Sequence, residues 1–212
     1  MPQSSQEITE FVVRTIANTA VENEKYFCEL DGVVGDGDFG YSLARGFEKV
    51  LQDWDSLDHT SPGGFLKKVA MTITSRVGGV SGTIWGTAFL RAGMVAGTKT
   101  DLTTDDLIAM FRSAIEGMMK RGETVLGDKT LLDALVPAVD QLEKSFKEGQ
   151  DGSAALQAAT VVARQCAEDT RPLIAKKGRA AYTGERSIGT LDAGAVAIAV
   201  IFESVSQAWQ KK

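Results

Sequence analysis

Three aspartates stand close together in the glycine-rich stretch LDGVVGDGDFGYSLARGF, residues 30–47. They are Asp31, Asp36 and Asp38. Like charges at this spacing repel one another, and glycine adds conformational entropy that folding must overcome, so the segment is poorly stabilised unless a cation binds it. Carboxylate oxygens are hard ligands that suit Mg²⁺ or Ca²⁺. The spacing therefore predicts a metal site.

An EF-hand calcium loop does not fit this segment. Counted from Asp36, the fifth position is Gly40 and the twelfth is Phe47, where that loop requires an oxygen ligand and a glutamate. Mg²⁺ usually takes one or two carboxylates and completes its shell with water and substrate phosphates. The three aspartates are therefore predicted to hold two Mg²⁺ ions that bridge to a polyphosphate.

Two other glycine-rich stretches are candidates for binding an anion. GGVSG, residues 78–82, precedes a predicted helix, so its amides can point at a phosphate with the helix dipole behind them. GETVLGDKT, residues 122–130, differs from a P-loop by one inserted residue, but it follows a predicted helix and not a strand. We reject the P-loop, while Lys129 and Thr130 remain candidates for contacting a nucleotide.

A basic stretch near the C-terminus, KKGRAAYTGERSIGTLDAGA, supplies cations that can neutralise phosphate. They are Lys176, Lys177, Arg179 and Arg186. Metal ligands together with amide and guanidinium donors favour a Mg²⁺-nucleotide site, since phosphoryl transfer needs mainly positioning and charge neutralisation. A histidine-based triad has little to draw on, because His59 is the only histidine.

Composition excludes several classes of protein. The chain has 212 residues, 43% of them hydrophobic, which is ordinary globular usage, and we expect one domain over residues 1–212. A net charge of −5 with spread acidic residues excludes a nucleic-acid or anionic-membrane surface. The N-terminus has no secretory pattern, and the longest apolar run, residues 193–202, is half of the roughly 20 residues that span a bilayer. We therefore expect a cytoplasmic protein.

Helical periodicity recurs in eight segments, and clean strand alternation is almost absent. The first segment starts at a capping box, Ser4 with Glu7, and runs into the aspartate loop. The third begins at Ser61 and Pro62, and its predicted inward residues are Phe65, Leu66, Val69, Ile73 and Val77. The pattern predicts an all-α bundle of about eight antiparallel helices. The glycine-rich loops follow helices 1, 3, 5 and 7, so they meet at one end, which predicts the nucleotide-Mg²⁺ site there.

The four loop motifs resemble one known family, the nucleotide-binding L subunit of dihydroxyacetone kinases. The matching stretches are LDGVVGDGDFG…RGF, VGGVSGTIWGT, RGETVLGDKTLLDAL and GRAAYTGERSIGTLDAGA, in family order over essentially the full length. The resemblance implies a barrel of eight antiparallel helices that binds ADP or ATP at one end through two Mg²⁺ ions. It implies Asp31, Asp36 and Asp38 as metal ligands. It implies these nucleotide-binding residues: Phe39, Gly40, Ser42, Gly79, Val80, Ser81, Gly122, Thr130, Leu131, Arg179, Asp192, Ala193 and Gly194.

Within that set the resemblance implies separate roles. Val80, Ser81 and Arg179 match phosphate contacts, and residues 192–194 match the segment that closes over the nucleotide. Gly122, Thr130 and Leu131 lie where the family's adenine pocket is expected, and no catalytic residue is assigned to this chain.

The resemblance also implies partners. A separate K-type subunit holds the ketose or polyol through its own histidine, and this chain supplies the phosphoryl group, so a homodimer or hetero-oligomer is expected. Two phosphate donors remain open. Either ADP stays bound and is rephosphorylated by a phosphotransferase-system phosphocarrier, or ATP is consumed.

The chain departs from the family pattern in three motifs. Phe39 and Ser42 stand where the family has histidine and asparagine, Ala193 replaces a proline, and Leu131 replaces a methionine. These departures leave the phosphate donor and the substrate open, but not the binding of a Mg²⁺-nucleotide. Two alternatives to a kinase subunit are also open: a non-catalytic, nucleotide-loaded regulatory adaptor, and a Mg²⁺-dependent phosphohydrolase.

Overall fold

The computed structural model describes residues 4–77 and 79–211, and over these ranges the chain contains nine α-helices, two 3₁₀ segments and no strand. The 3₁₀ segments are Trp54–Ser56 and Arg179–Ser187. The helices are α1 Ser5–Glu22, α2 Glu24–Asp31, α3 Phe39–Gln52, α4 Pro62–Arg76, α5 Gly79–Ala96, α6 Thr104–Gly122, α7 Leu132–Lys147, α8 Gly152–Glu168 and α9 Ala193–Gln210. The expected all-α class is confirmed.

The additional helix comes from a break in the first predicted segment. Asn23, with φ −102° and ψ 12°, leaves helical geometry between α1 and α2, and its carbonyl oxygen accepts a hydrogen bond from the Phe27 amide. Asparagine competes with helix by bonding to nearby backbone, so it favours such junctions. The consequence is that α2 is a short separate helix whose last residue is Asp31.

The chain forms two compact units. The first comprises Met1–Val21 and Ser42–Gly122, and the second comprises Glu22–Tyr41 and Glu123–Lys212. A single domain over residues 1–212 stays a prediction.

In the first unit, α5 packs against both α4 and α6. The five inward residues predicted for α4 and its end, Phe65, Leu66, Val69, Ile73 and Val77, are all buried. The Phe47 ring meets the Trp85 and Phe89 rings edge to face, with centroids 6.0 Å apart in both pairs. The helical period in the sequence therefore identified this core correctly.

In the second unit, α7, α8 and α9 pack against one another, and α2 packs on α9. Helix α9 is almost entirely apolar and largely buried, and Asp192 caps it by accepting a hydrogen bond from the Ala195 amide at 2.6 Å. This packing brings the loops before α3, α7 and α9 into one unit. Among the helices described, none combines the length and apolarity needed to cross a membrane.

Candidate nucleotide and metal site

The three predicted metal ligands lie together. Asp31 ends α2, and Asp36 and Asp38 lie on the turn that precedes α3. One carboxylate oxygen from each lies within 4.8 Å of the others, the separation of ligands that share a cation or a pair of cations. The donor set is all hard oxygen, which fits Mg²⁺.

Asp31 also organises the turn that carries its two neighbours. Its Oδ2 accepts hydrogen bonds from the Gly37 amide at 2.9 Å and the Phe39 amide at 3.4 Å. Gly37 has φ +75°, a left-handed conformation that side-chain-bearing residues rarely adopt. The turn is therefore built around one ligand so that the other two carboxylates face it.

Gly40 and Phe39 have structural contacts of their own at the start of α3. Gly40 is buried, and a Cβ there would clash with the Glu24 carbonyl oxygen. The Phe39 ring packs against the fully buried Phe27 ring, with centroids 6.2 Å apart. The position where the family has histidine thus carries an apolar ring that packs on α2.

The electrostatics of the turn are dominated by excess negative charge. Burial raises the pKa of Asp38, the Asp36 and Asp31 carboxylates raise it further, and Arg179 opposes the shift. Arg179 Nε lies 3.1 Å from Asp36 Oδ2, although its side chain is 71% exposed and the pair is therefore weak. One exposed guanidinium against three carboxylates leaves a site that favours additional cations.

Of the basic residues predicted in the C-terminal loop, Arg179 contacts the aspartates. It begins the 3₁₀ segment, directly after Gly178. Lys176 instead pairs with Asp128 at 3.4 Å, and Lys177 donates to the Glu123 carbonyl oxygen. The expected cationic group is thus divided, and Arg179 is the member that lies beside the three aspartates.

Asp192 is a second carboxylate with shifted titration. Its pKa is raised to about 7, mainly by burial and also by the Asp133 and Asp31 carboxylates, while the hydrogen bond from the Ala195 amide and the charge of Lys129 oppose the rise. Its pKa therefore depends on the charge of Asp31, one of the three predicted metal ligands. A bound cation therefore favours the ionised form of Asp192.

Residues 130, 131 and 194 approach one another around the start of α7. A Cβ added to Gly194 would lie 3.1 Å from Leu131 Cβ, and Ala193 is buried. The Thr130 amide donates to Asp133 Oδ2 at 2.7 Å. Sequence reasoning missed Asp133, although Thr130 and Asp133 have the spacing of a capping box.

Lys129 does not serve the role considered for it. It is 2% exposed, and its ammonium group donates to the carbonyl oxygens of Leu173, Ser187 and Thr190 at 3.1, 2.6 and 2.9 Å. An ammonium group has three donors, so none is left for a phosphate. The expectation that Lys129 contacts a nucleotide is wrong because the side chain turns inward.

A family model of the DAK2 domain matches residues 33–207. The chain belongs to the DAK2 domain family. The resemblance stated from the sequence motifs is thereby confirmed.

Separate ADP-binding subunits are among the relatives of this DAK2 chain. It is 36% identical over 208 residues to the ADP-binding subunit DhaL of the PEP-dependent dihydroxyacetone kinase of Escherichia coli K12, covering 98% of this chain and 99% of that subunit. It is 37% identical over 184 residues to the ADP-binding subunit DhaL of the PTS-dependent enzyme of Lactococcus lactis, covering 87% and 88%.

Longer kinases also match. Identity to the L-erythrulose kinase of Pectobacterium atrosepticum is 35% over 179 residues, covering 84% of this chain but 30% of that protein. The crystal structure of the C. freundii dihydroxyacetone kinase matches with a TM-score of 0.75 at 24% identity, covering 98% of this chain and 35% of that one. Its complex with AMP-PNP and Mg²⁺ gives a TM-score of 0.74. These two likenesses establish the fold, and the DAK2 chain spans about a third of that kinase.

The remaining predicted residues of the DAK2 chain lie in the first unit. They are Ser42, Gly79, Val80, Ser81 and Gly122. Helix α5 begins at Gly79, so its first amides have no partner within the helix, as an anion site requires. The side chain of Val80 lies outside the described residues, as does Gly78. The roles of these five positions stay predictions.

Proposed function

We propose that this chain binds ADP or ATP through two Mg²⁺ ions held by Asp31, Asp36 and Asp38. The convergence of the three carboxylates within 4.8 Å is the observation that carries the proposal. Arg179, already beside Asp36, is the group that contacts the nucleotide phosphates. When bound, Mg²⁺ neutralises phosphate charge and aligns the transferred group.

The other predicted residues complete the nucleotide site. The amides of Gly79, Val80 and Ser81 bind phosphate at the start of α5, and Phe39, Gly40 and Ser42 border the phosphates at the start of α3. Gly122, Thr130 and Leu131 surround the adenine. Asp192, Ala193 and Gly194 close over the nucleotide, which is supported by the close approach of Gly194 to Leu131.

The proposed activity is that of the nucleotide subunit of a dihydroxyacetone-type kinase. The chain donates a phosphoryl group to a short ketose or polyol that a separate K-type subunit holds. The support is the near-complete coverage of relatives named as ADP-binding subunits of dihydroxyacetone kinases. In this arrangement the chain positions and neutralises the phosphates, and the partner subunit activates the substrate hydroxyl.

The donor we propose is a phosphotransferase-system phosphocarrier that rephosphorylates bound ADP. The relatives that this chain covers almost completely are named for PEP- or PTS-dependent enzymes. Retained ADP is the testable consequence.

Calorimetry with ADP and Mg²⁺ tests the nucleotide site. We expect binding by the wild-type chain, none by the triple Asp31→Asn, Asp36→Asn, Asp38→Asn variant, and wild-type binding by the exposed control Asp101→Asn. Mn²⁺ in place of Mg²⁺, counted by electron paramagnetic resonance, is expected to give two ions per chain with ADP. Identical binding by wild-type and triple variant excludes the site.

Phosphoryl transfer is tested separately, with a K-type subunit, dihydroxyacetone and either a phosphocarrier or ATP. Transfer from the phosphocarrier without release of ADP supports the kinase subunit. Nucleotide binding without transfer to any K-type subunit favours the regulatory adaptor, and steady phosphate release by this chain alone favours the phosphohydrolase.

A further inference from the structure

The buried ammonium group of Lys129 donates hydrogen bonds to three backbone carbonyl oxygens of the loop formed by residues 171–192. Lys129, at the end of the loop before α7, has φ +62°, a left-handed conformation that is costly for a residue with a side chain. Such a conformation persists only where surrounding contacts maintain it. Here it accompanies a side chain directed into the protein interior, and its ammonium group is surrounded by carbonyl oxygens.

The three acceptors bracket the basic part of the loop. Leu173 lies before Arg179 in the sequence, and Ser187 and Thr190 lie after it. One ammonium group thus connects both ends of the segment that carries Arg179. A buried ammonium group without hydrogen-bond partners is strongly unfavourable. Moving any of the three carbonyl oxygens away from Lys129 therefore costs free energy, which restrains both ends of the loop.

Two further hydrogen bonds of the 171–192 loop lie close to Lys129. The Lys176 amide donates to the Asp128 carbonyl oxygen at 3.0 Å, and the Ala175 amide donates to Ser187 Oγ at 2.9 Å. Ser187 is fully buried. These bonds fix the loop's two ends beside Lys129, and residues 177–186, which are half-buried or exposed, lie between them.

The charges near Lys129 act in opposite directions on its pKa. Burial lowers its pKa, Arg171 lowers it further, and Asp192 raises it. Asp192, when ionised, therefore favours the ammonium form of Lys129. Through it, Lys129 is coupled to the segment proposed to close over the nucleotide.

We propose that Lys129 is a positioning residue for nucleotide binding: it contacts no phosphate and acts by holding the 171–192 loop so that Arg179 is presented to the aspartate turn. This rests on the proposed nucleotide site for its functional consequence, while the anchoring itself is independent of it. Lys129 therefore belongs to the scaffold of the site, although its position beside Thr130 suggests a ligand contact.

The test compares Lys129→Met with Lys144→Met, an exposed lysine on α7. We expect amide hydrogen exchange in residues 171–192 to become about tenfold faster in Lys129→Met, with α7 and α8 protected as in the wild type, and no change in Lys144→Met. Exchange in the loop that is unchanged, or that rises equally along the whole chain, overturns the proposal.

The functional half of the test is a double-variant cycle on MgADP affinity. We expect Lys129→Met to bind about tenfold more weakly, and to add little when Arg179 is already alanine, because Lys129 acts through Arg179. Additive losses contradict the positioning role. If the wild type binds no MgADP, the proposed function fails, and the exchange experiment still decides the anchoring.

Lys129→Arg keeps the test valid if Lys129→Met does not fold. A planar guanidinium keeps the charge but does not match three acceptors arranged for an ammonium group. We expect a smaller acceleration of exchange confined to the same loop. A Lys129→Arg variant with wild-type exchange in that loop counts against the proposal.

Discussion

The aspartate turn in the second unit and the cluster around His59 in the first unit both gather charged side chains, but they balance charge differently. In the cluster, His59 Nδ1 lies 2.7 Å from Glu10 Oε1 and His59 Nε2 lies 2.8 Å from the Trp54 carbonyl oxygen, while Arg14 lies 4.0 Å over the Trp54 ring. Every charge there faces an opposite charge, a carbonyl oxygen or an aromatic face. The aspartate turn has three carboxylates and one exposed arginine.

The difference distinguishes a scaffold cluster from a ligand site. Hydrogen bonds to Glu10 and Trp54 raise the pKa of His59 despite its burial, and burial of Glu10 is outweighed by bonds from Gln6 and His59 that lower its pKa. Each partner favours the charged form of the other. In the turn, Asp36 and Asp31 disfavour the charged form of Asp38. A bound cation would relieve the repulsion among the three aspartates, whereas the His59 cluster already supplies its own countercharge, and this contrast supports the proposed metal site.

The largest expected effect comes from replacing all three carboxylates of the aspartate turn, which removes the groups proposed to bind the metal. In the triple Asp-to-Asn variant of residues 31, 36 and 38, we expect MgADP to give no thermal stabilisation. In the wild type, MgADP at 100 times its Kd contributes about 2.7 kcal/mol, or roughly 5–10 °C in Tm. Thermal unfolding with and without MgADP measures it. If MgADP still stabilised the triple variant, the nucleotide would bind without the three aspartates.

Replacing the arginine of each region by alanine gives the next largest effect. We expect Arg179→Ala to weaken MgADP binding about tenfold, since it removes a charged hydrogen bond to phosphate, and to leave stability within about 0.5 kcal/mol. Arg14→Ala is expected to do the reverse, lowering stability by about 1 kcal/mol with MgADP affinity unchanged. Calorimetry and denaturant unfolding measure the two. Equal effects from both variants would erase the distinction between the regions.

Local sequence pattern predicted most of the helices and the grouping of the three aspartates. Periodicity identified the buried face of α4, and three aspartates in eight positions identified a cluster that the fold brings together. These features are set by neighbours a few residues away. The break at Asn23 was missed because a single asparagine inside a strong helical pattern does not by itself end a helix.

Lys129 shows what local pattern could not predict. Its acceptors are 44 to 61 residues further along the chain, so nothing in GDKT distinguishes an inward lysine from one that meets a phosphate. Asp133 is a different case, since its capping-box spacing from Thr130 is visible in the sequence. Long-range partners of a polar side chain require the fold.

The pH dependence of the His59 cluster is a smaller effect. Because the folded pKa of His59 is raised, its contribution to stability is complete below its unfolded value of about 6.5 and is lost as pH rises through the folded value. We expect a loss of about 1 kcal/mol, since solvent screens these half-buried side chains. Denaturant unfolding across this pH range measures it, with Glu10→Gln as the variant in which the loss is largely removed. The same slope in both proteins would mean that the Glu10 pair does not stabilise the charged His59.

The smallest effect is a stabilisation, and it reverses on adding metal. The folded pKa of Asp38, an exposed residue, is raised by partial desolvation and by its carboxylate neighbours, so its ionised form destabilises the metal-free protein. We expect Asp38→Asn to stabilise that protein by at most about 0.5 kcal/mol at neutral pH, because exposure screens the repulsion. With MgADP the wild type becomes the more stable of the two proteins, since it gains a ligand that the Asp38→Asn variant lacks.

The matched change in the His59 cluster, Glu10→Gln, is expected to destabilise the protein both with and without MgADP. An Asp38→Asn variant that is less stable without metal would mean that the turn, like the His59 cluster, is already balanced by its own residues.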